Sequence, residues 1–397
     1  YNDANMKDKQ IEKLIKKEEK REKSVVNLIA SENYVSDDVL RALGSVLTNK
    51  YAEGYPGRRY YGGNSVIDEV ERLCQERALK LFKLSPQKWH VNVQPLSGSP
   101  ANVAVYVALL PTDGTGRIMG MTLSHGGHLT HGHSVSASGK FWKQIPYGVA
   151  KRTERLDYDE LMTIAKREKP HLIVAGFTAY PRTIDWKKFR TIADAASAYL
   201  MVDMSHIAGL VAGGAHPSPF PYADIVTTTT HKTLRGPRGA MIFVKKDARD
   251  LGAKIDKAVF PGLQGGPHEN AIAATAVALG EALITPSFKS YAKQVVKNAK
   301  VLAGELQKLG WRIVSGGTDN HLMLVDTWAN GVSGKMASER LERAGIIVNM
   351  NTIPFDVRKP MDPSGIRLGT PAETTRGAKE KDMKKLAVKI DKILRSE

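Results

Sequence analysis

Lys232 closes the run Asp224-Ile225-Val226-Thr227-Thr228-Thr229-Thr230-His231-Lys232-Thr233, and Gly236, Pro237 and Gly239 follow it closely. A lone lysine is most often a solvated surface charge. This one follows a β-branched run that reads as a buried strand, so its side chain is expected to enter a cleft. Desolvation and neighbouring positive charge lower an amine's pKa there and make it a nucleophile toward a carbonyl. A second candidate ends another apolar run, Leu200-Met201-Val202-Asp203, with Met204, Ser205 and His206 after it. A carboxylate at the end of a buried strand needs a compensating partner. It reads either as a structural cap on the next turn or as a group facing a bound cationic ring. The third candidate is Ser97-Gly98-Ser99-Pro100-Ala101-Asn102, which offers hydroxyls and backbone N–H groups at a helix start, where an anion is favoured. Cradle, acid and lysine together meet the needs of pyridoxal phosphate: an amine for its aldehyde, an acid for its pyridine nitrogen and a seat for its phosphate.

Two other patterns are weaker. Gly114-Thr115-Gly116 with Gly120 resembles a dinucleotide loop, but the third glycine is one residue late and the segment precedes a strand. The cluster His125, His128, His131 and His133 is interleaved with Gly126, Gly127 and Gly132, which break the helical spacing zinc sites favour, so no metal is assigned. A histidine stacked on a planar cofactor suits this loop better, and loop histidines bonded to backbone are the plain alternative.

These groups need a frame. The 397-residue chain is 42% hydrophobic, enough for two or three domains with real cores. Residues 6–23 read as an amphipathic helix with Ile11, Leu14 and Ile15 on one stripe, an arm that lies on something else. Residues 31–65 read as loop. From residue 66 helices alternate with buried strands at 117–123, 171–177, 199–203, 223–228 and 240–244, which implies an α/β domain with a mostly parallel sheet. After a helix at 269–284 the pattern resets: helix 287–309, strands 311–315 and 321–326, helix 335–344, strands 346–349 and 365–369, helix 376–395. The organisation is an arm (1–30), a large α/β domain (31–284) and a smaller α+β domain (285–397). The net charge of +17 comes largely from mixed-sign helical ends, the look of a solvated face. It favours anions in general, and no aromatic-spaced basic motif points to nucleic acid. Cys74 alone excludes an intrachain disulfide and suggests a reducing, cytoplasmic setting. No membrane span or signal peptide is expected, although a chain opening on Tyr1 leaves room for an upstream segment.

At these residues the sequence resembles the serine hydroxymethyltransferases, fold-type I pyridoxal-phosphate enzymes of the aspartate-aminotransferase-like class. The resemblance is carried by Thr48-Asn49-Lys50-Tyr51-Ala52-Glu53-Gly54-Tyr55-Pro56-Gly57, by Arg59-Tyr60-Tyr61-Gly62-Gly63, by the loops at 97–102 and 125–132, and by segments 28–34, 202–209, 227–239, 260–267, 315–321 and 365–371. It implies that Lys232 forms a covalent aldimine with the cofactor, that Asp203 pairs with the pyridine nitrogen and that His206 lies near the phenolic oxygen. It implies further that His128 stacks on the ring and that Ser97, Gly98 and Ser99 hold the phosphate, joined by Gly265 and Gly266 of a partner subunit. Thr178, where the family often has Ser, keeps a hydroxyl for the cofactor. Thr229, His231 and Arg238 surround the lysine. Arg367 and Ser31 bind the substrate carboxylate. Tyr51, Glu53 and Tyr61 enter from the partner chain, with Glu53 managing protons at the serine hydroxyl and the folate nitrogen. Leu123, Gly127, Leu129 and Asn351 line a tetrahydrofolate pocket. The implied reaction is the reversible conversion of L-serine and tetrahydrofolate to glycine and 5,10-methylenetetrahydrofolate. A homodimer with shared sites is the minimum assembly, and a tetramer is left open. The rivals are a folate-independent fold-type I aldolase or aminotransferase, and a basic nucleic-acid-binding protein on an inactive fold.

Overall fold

The computed structural model describes residues 6–247, 250–284 and 286–396. Helix α1 (Lys9–Ser24) begins where Asp8 accepts hydrogen bonds from the N–H groups of Gln10 and Ile11. It buries none of its residues, and Ile11, Leu14 and Ile15 remain exposed. Strand β1 (Val26–Asn27) follows. The stretch expected to be loop holds more structure. Ser36 caps α2 (Asp37–Leu43), with Asp37 and Asp38 in its first turn and only Val39 buried, too little apolar content to announce a helix. Strands β2 (Gly54–Tyr55) and β3 (Arg58–Arg59) form a hairpin. Gly54 has φ +94°, and a Cβ there would lie 2.3 Å from the Arg58 carbonyl oxygen, so glycine is required. Helix α3 (Ser65–Leu81) buries Ile67, Glu71, Cys74, Ala78 and Leu81, the stripe its periodicity predicts.

The next elements are β4 (Trp89–Asn92), α4 (Gly98–Leu109), β5 (Arg117–Met121), α5 (Ala137–Phe141), β6 (Lys143–Tyr147), α6 (Tyr158–Glu168), β7 (Leu172–Ala175), α7 (Trp186–Ala195), β8 (Tyr199–Asp203), α8 (Ala208–Ala212), β9 (Ile225–Thr229) and β10 (Ala240–Lys245). They build a seven-stranded sheet in the order β4-β10-β9-β8-β7-β5-β6. Neighbours from β9 to β6 are parallel, while β10 runs antiparallel to both β9 and β4. Strands β4 and β6 are additions to the sequence-based expectation. Both are edge strands, and β6 carries Pro146, which only an edge tolerates well. Ile173, Ala175, Leu200 and Val202 pack into one core, and Leu172, Val174, Met201 and Ile225 into another. The period of two therefore buries both faces, each covered by helices.

The remaining elements are α9 (Leu251–Lys257), α10 (Glu269–Ile284), α11 (Pro286–Lys308), β11 (Arg312–Ile313), β12 (Leu322–Asp326), α12 (Gly334–Arg343), β13 (Ile346–Ile347), β14 (Asn349–Asn351), β15 (Gly365–Gly369), α13 (Pro371–Thr375) and α14 (Glu380–Arg395). An antiparallel sheet β11-β12-β15-β14 organises the smaller unit. Helix α11 serves both cores: Phe288, Tyr291, Ala292 and Val295 pack with the large sheet, and Ala299, Leu302, Ala303 and Leu306 with the small one. The last helix starts at Glu380 rather than 376, because Gly377 at φ +93° interrupts it. Among the described residues no single helix is long and apolar enough to cross a membrane.

Strand β1 pairs in parallel with β13, and Leu28 joins the smaller core at 0% exposure. The segment leading to Ser31 is thereby tied to the C-terminal unit. Leu28→Ala is expected to cost about 2–5 kcal/mol in denaturant unfolding, as a cavity in a packed core does. A loss under ~0.5 kcal/mol would contradict this anchoring.

Candidate active site

Ligands of open α/β sheets gather beyond the carboxyl ends of the strands, and the expected residues converge there. Strand β8 ends on Asp203, β9 leads through Thr229 to Lys232, β5 leads into the histidine loop, and β7 leads to Thr178. A cavity of about 370 Å³ is lined by Ser97, Gly98, Ser99, His128, Thr178, Asp203, His206, Thr229, His231, Lys232, Arg238 and Arg367, with Ser31 and Glu32 at one side. A larger surface cavity around His90 and Asp256 holds neither the lysine nor the cradle.

Asp203 sits in the most constrained position. Its Oδ2 accepts from Asn102 Nδ2 at 2.9 Å and from His131 Nε2 at 3.1 Å, and its Oδ1 from the Ser205 N–H at 3.1 Å. Burial alone would raise the carboxyl pKa, but the bonds from His131, Ser205 and Asn102 overcome it and hold the group well below the usual range. The partners are themselves oriented. Thr227 donates to Asn102 Oδ1 at 2.8 Å, and Asn102 also donates to Thr130 Oγ1 at 2.9 Å. The His128 N–H donates to His131 Nδ1 at 3.4 Å, so His131 carries its proton on Nε2, toward Asp203. Sequence reasoning assigned no such role to Asn102, Thr130, His131 or Thr227. The available signal was the demand of a buried carboxylate for donors, but which donors meet it is a matter of tertiary contact.

His128 Nδ1 accepts from the Thr130 N–H at 3.2 Å and lies 2.8 Å from the Thr130 hydroxyl, leaving Nε2 as the protonated nitrogen. Burial lowers its pKa to about 4, so the ring is neutral at pH 7. The histidine cluster disperses: His125 accepts from the Val149 N–H and packs on Phe355, and His133 accepts from Val135. Burial likewise lowers Lys232 to about 8, against the pull of Asp203 and with help from Arg367 and Arg238. Burial, with Lys232 and Arg238 nearby, lowers His231 to about 3. Arg238 Nη1 lies 3.4 Å from His231 Nε2.

Arg367 reaches the cavity from the other unit. It lies in β15 opposite Asn349 of β14, whose Oδ1 accepts from Arg367 Nε at 3.1 Å, and its Nη1 donates to the Thr178 carbonyl at 2.9 Å. Burial lowers its pKa to about 10, which leaves it a cation at neutral pH.

The residues present fit pyridoxal phosphate. Ser97 is the N-cap of α4, yet its side chain makes no capping bond, and Ser97, Gly98 and Ser99 line the cavity, which leaves the hydroxyl and the first-turn N–H groups available to an anion there. A Cβ on Gly98 would lie 2.7 Å from Thr229 Cγ2 and fill the cradle. Thr229 Oγ1 and His231 Nδ1 are buried beside Lys232 without a protein partner.

Other predicted residues lie elsewhere. Tyr51, Glu53 and Tyr61 do not line this cavity. They form a separate cluster: the Tyr51 hydroxyl is 3.3 Å from Glu53 Oε1, and the Tyr51 and Tyr61 rings meet edge-on at 4.9 Å. Gly265 and Gly266 face the same cluster, with positions for a Cβ 3.1 Å from Glu53 Oε1 and 3.8 Å from the Tyr51 ring. Leu123 and Leu129 are exposed on the histidine loop. Gly127 is pressed against the Met121 carbonyl, and Asn351 Oδ1 lies 3.4 Å from Asn349 Nδ2, one step from Arg367.

A nucleophilic lysine and an ionised aspartate on one cavity, with an anion seat at a helix start and a mostly parallel sheet beneath, define the class of fold-type I pyridoxal-phosphate enzymes. Comparison with known proteins narrows the class. The family model for serine hydroxymethyltransferase matches residues 4–390. The chain is 56% identical over 391 residues to the serine hydroxymethyltransferase of Koribacter versatilis (strain Ellin345), covering 98% of this chain and 89% of that protein. The chain belongs to the serine hydroxymethyltransferase family. Its activity is that of a glycine hydroxymethyltransferase, using pyridoxal phosphate and interconverting serine and glycine with tetrahydrofolate as co-substrate.

Two outcomes test the site. Gly98→Ala should weaken pyridoxal-phosphate binding about tenfold or more, since a methyl intrudes on the cradle; unchanged affinity in an absorbance titration would contradict the fit. In the apoprotein, reductive methylation of Lys232 should be half-maximal near pH 8. Between that value and the ordinary 10.5 the unfolded chain holds more protons, so this group's contribution to stability rises with pH. A labelling midpoint near 10 would overturn the assignment of a desolvated amine.

Proposed function

We propose that Lys232 carries the cofactor, that Asp203 faces its pyridine nitrogen, that His128 covers its ring and that His206 approaches its phenolic oxygen. The single observation that carries this reading is the ionised Asp203 on the same cavity as the desolvated Lys232. Ser97, Gly98 and Ser99 hold the phosphate, and Thr178, Thr229, His231 and Arg238 border the ring and the lysine. When bound, pyridoxal phosphate supplies an electron-accepting ring for the pair released as the serine Cα–Cβ bond breaks. Asp203, kept charged by three donors, holds a proton at the pyridine nitrogen and so maintains that acceptor. Arg367, with Ser31, grips the substrate carboxylate. Nε and Nη1 are already fixed by Asn349 and Thr178, so the guanidinium is oriented before substrate arrives.

The active assembly is a homodimer with shared sites. The support is the second cluster: Tyr51, Glu53, Tyr61, Gly265 and Gly266 are grouped together and partly exposed, away from their own chain's cavity. Seated on the neighbour's cavity, Glu53 of the partner subunit moves protons at the serine hydroxyl and the folate nitrogen, while Gly265 and Gly266 of the partner subunit complete the phosphate seat. Leu123, Gly127, Leu129 and Asn351 form the folate side. A cytoplasmic setting agrees with the single, buried thiol of Cys74.

The spectrum of the purified protein with glycine, before and after tetrahydrofolate, tests cofactor, substrate and co-substrate together. Lys232→Ala should lose the visible band of the tethered cofactor. Glu53→Gln should keep the cofactor and glycine binding but lose folate-dependent serine cleavage. Co-expressed, these two inactive variants should recover about a quarter of wild-type activity, because half of random dimers carry one intact site of two. No recovery in verified hybrid dimers would contradict sharing.

A further inference from the structure

His206 and His321 make a contact that the reaction chemistry above does not use. His321 immediately precedes β12 and is fully buried, and His206 is 4% exposed. His206 Nδ1 lies 3.2 Å from His321 Nε2, with ring centroids 5.4 Å apart and planes inclined by 32°. His206 lines the cofactor cavity, which leaves its Nε2 to whatever occupies that space. His321 Nδ1 is buried without a partner.

One proton must lie between the two rings, and geometry decides whose it is. If His206 donated, the proton of a neutral His321 would sit on Nδ1, a buried N–H with no acceptor. Orphaned buried N–H groups are rare in native structures. If His321 donates from Nε2, its Nδ1 is a bare lone pair, and His206 Nδ1 is the acceptor. His206 then carries its own proton on Nε2. Burial, with the cations of Lys232 and Arg367 close by, disfavours the charged form of both rings: His206 falls well below its ordinary value and His321 to about 3.

We infer that His321 is a positioning residue that fixes His206 as the Nε2–H tautomer, so that the cavity is offered a hydrogen-bond donor there and not an acceptor. The inference rests on the reading that His206 faces the cofactor's phenolic oxygen, for which a donor is the complementary group. It also ties His206 to the unit that carries Arg367, since the Thr370 N–H, next to the end of β15, donates to the His321 carbonyl at 3.1 Å.

The direct test is a long-range 1H–15N correlation spectrum of 15N-histidine-labelled apoprotein between pH 6 and 8, with His321 assigned by its loss in His321→Gln. Both His206 and His321 are expected to be protonated on Nε2 alone; a proton on Nδ1 of either overturns the inference. The second test compares variants by absorbance titration with pyridoxal phosphate. His321→Phe keeps the ring volume but cannot donate, and should bind the cofactor about fivefold more weakly, the worth of one neutral hydrogen bond. His321→Gln restores a donor and should stay within about twofold. Equal affinity for His321→Phe and wild type, or equal damage in both variants, overturns the inference. If His321→Phe fails to fold, the wild-type spectrum and the Gln variant decide. Absence of a visible cofactor band in wild type would instead overturn the underlying cofactor reading.

Discussion

The rest of the site depends on keeping one carboxylate charged inside the protein. Burial by itself pushes the Asp203 carboxyl toward its neutral form, and a neutral acid could not hold a proton on a ring nitrogen. Its three donors come from three places: helix α4, the histidine loop and the turn after its own strand. Two of them are braced in turn, Asn102 by Thr227 and His131 by a backbone N–H. Such a network acts as a unit, because a half-satisfied buried charge is worse than none.

The same low-polarity surroundings act in the opposite sense on the cations. Lys232 becomes an amine available near neutral pH, and burial drives His128, His206, His231 and His321 toward the neutral form. Arg367 remains a cation because guanidinium starts so high. A single environment thus yields an anion at one pole, a desolvated amine beside it and a fixed cation across the cavity. The sign of each effect follows from whether hydrogen-bond partners or bare burial dominates.

The site also joins two units. Arg367 comes from the small antiparallel sheet and bonds to the Thr178 carbonyl of the large unit, while His321 meets His206 across the same junction. Helix α11 contributes to both cores, and β1 ties the N-terminal segment to β13, beside the smaller core that Leu28 joins.

The lysine, the aspartate and the cradle were legible in the amino-acid sequence because each sits where an apolar run meets polar residues, a pattern confined to neighbours in the chain. Most strands and helices were legible for the same reason: period two and period 3.6 are local. Edge strands β4 and β6, helix α2 and the delayed start of α14 were not, since a few half-buried residues, a proline or a single glycine break the pattern. Tertiary structure alone decided which side chains keep Asp203 ionised, that His131 and not His128 bonds it, that Arg367 rests on Thr178, and that Glu53 stands apart from its own cavity. Those are contacts between residues from 72 to 189 positions apart, or directions of side chains within one loop, and local periodicity carries no information about either.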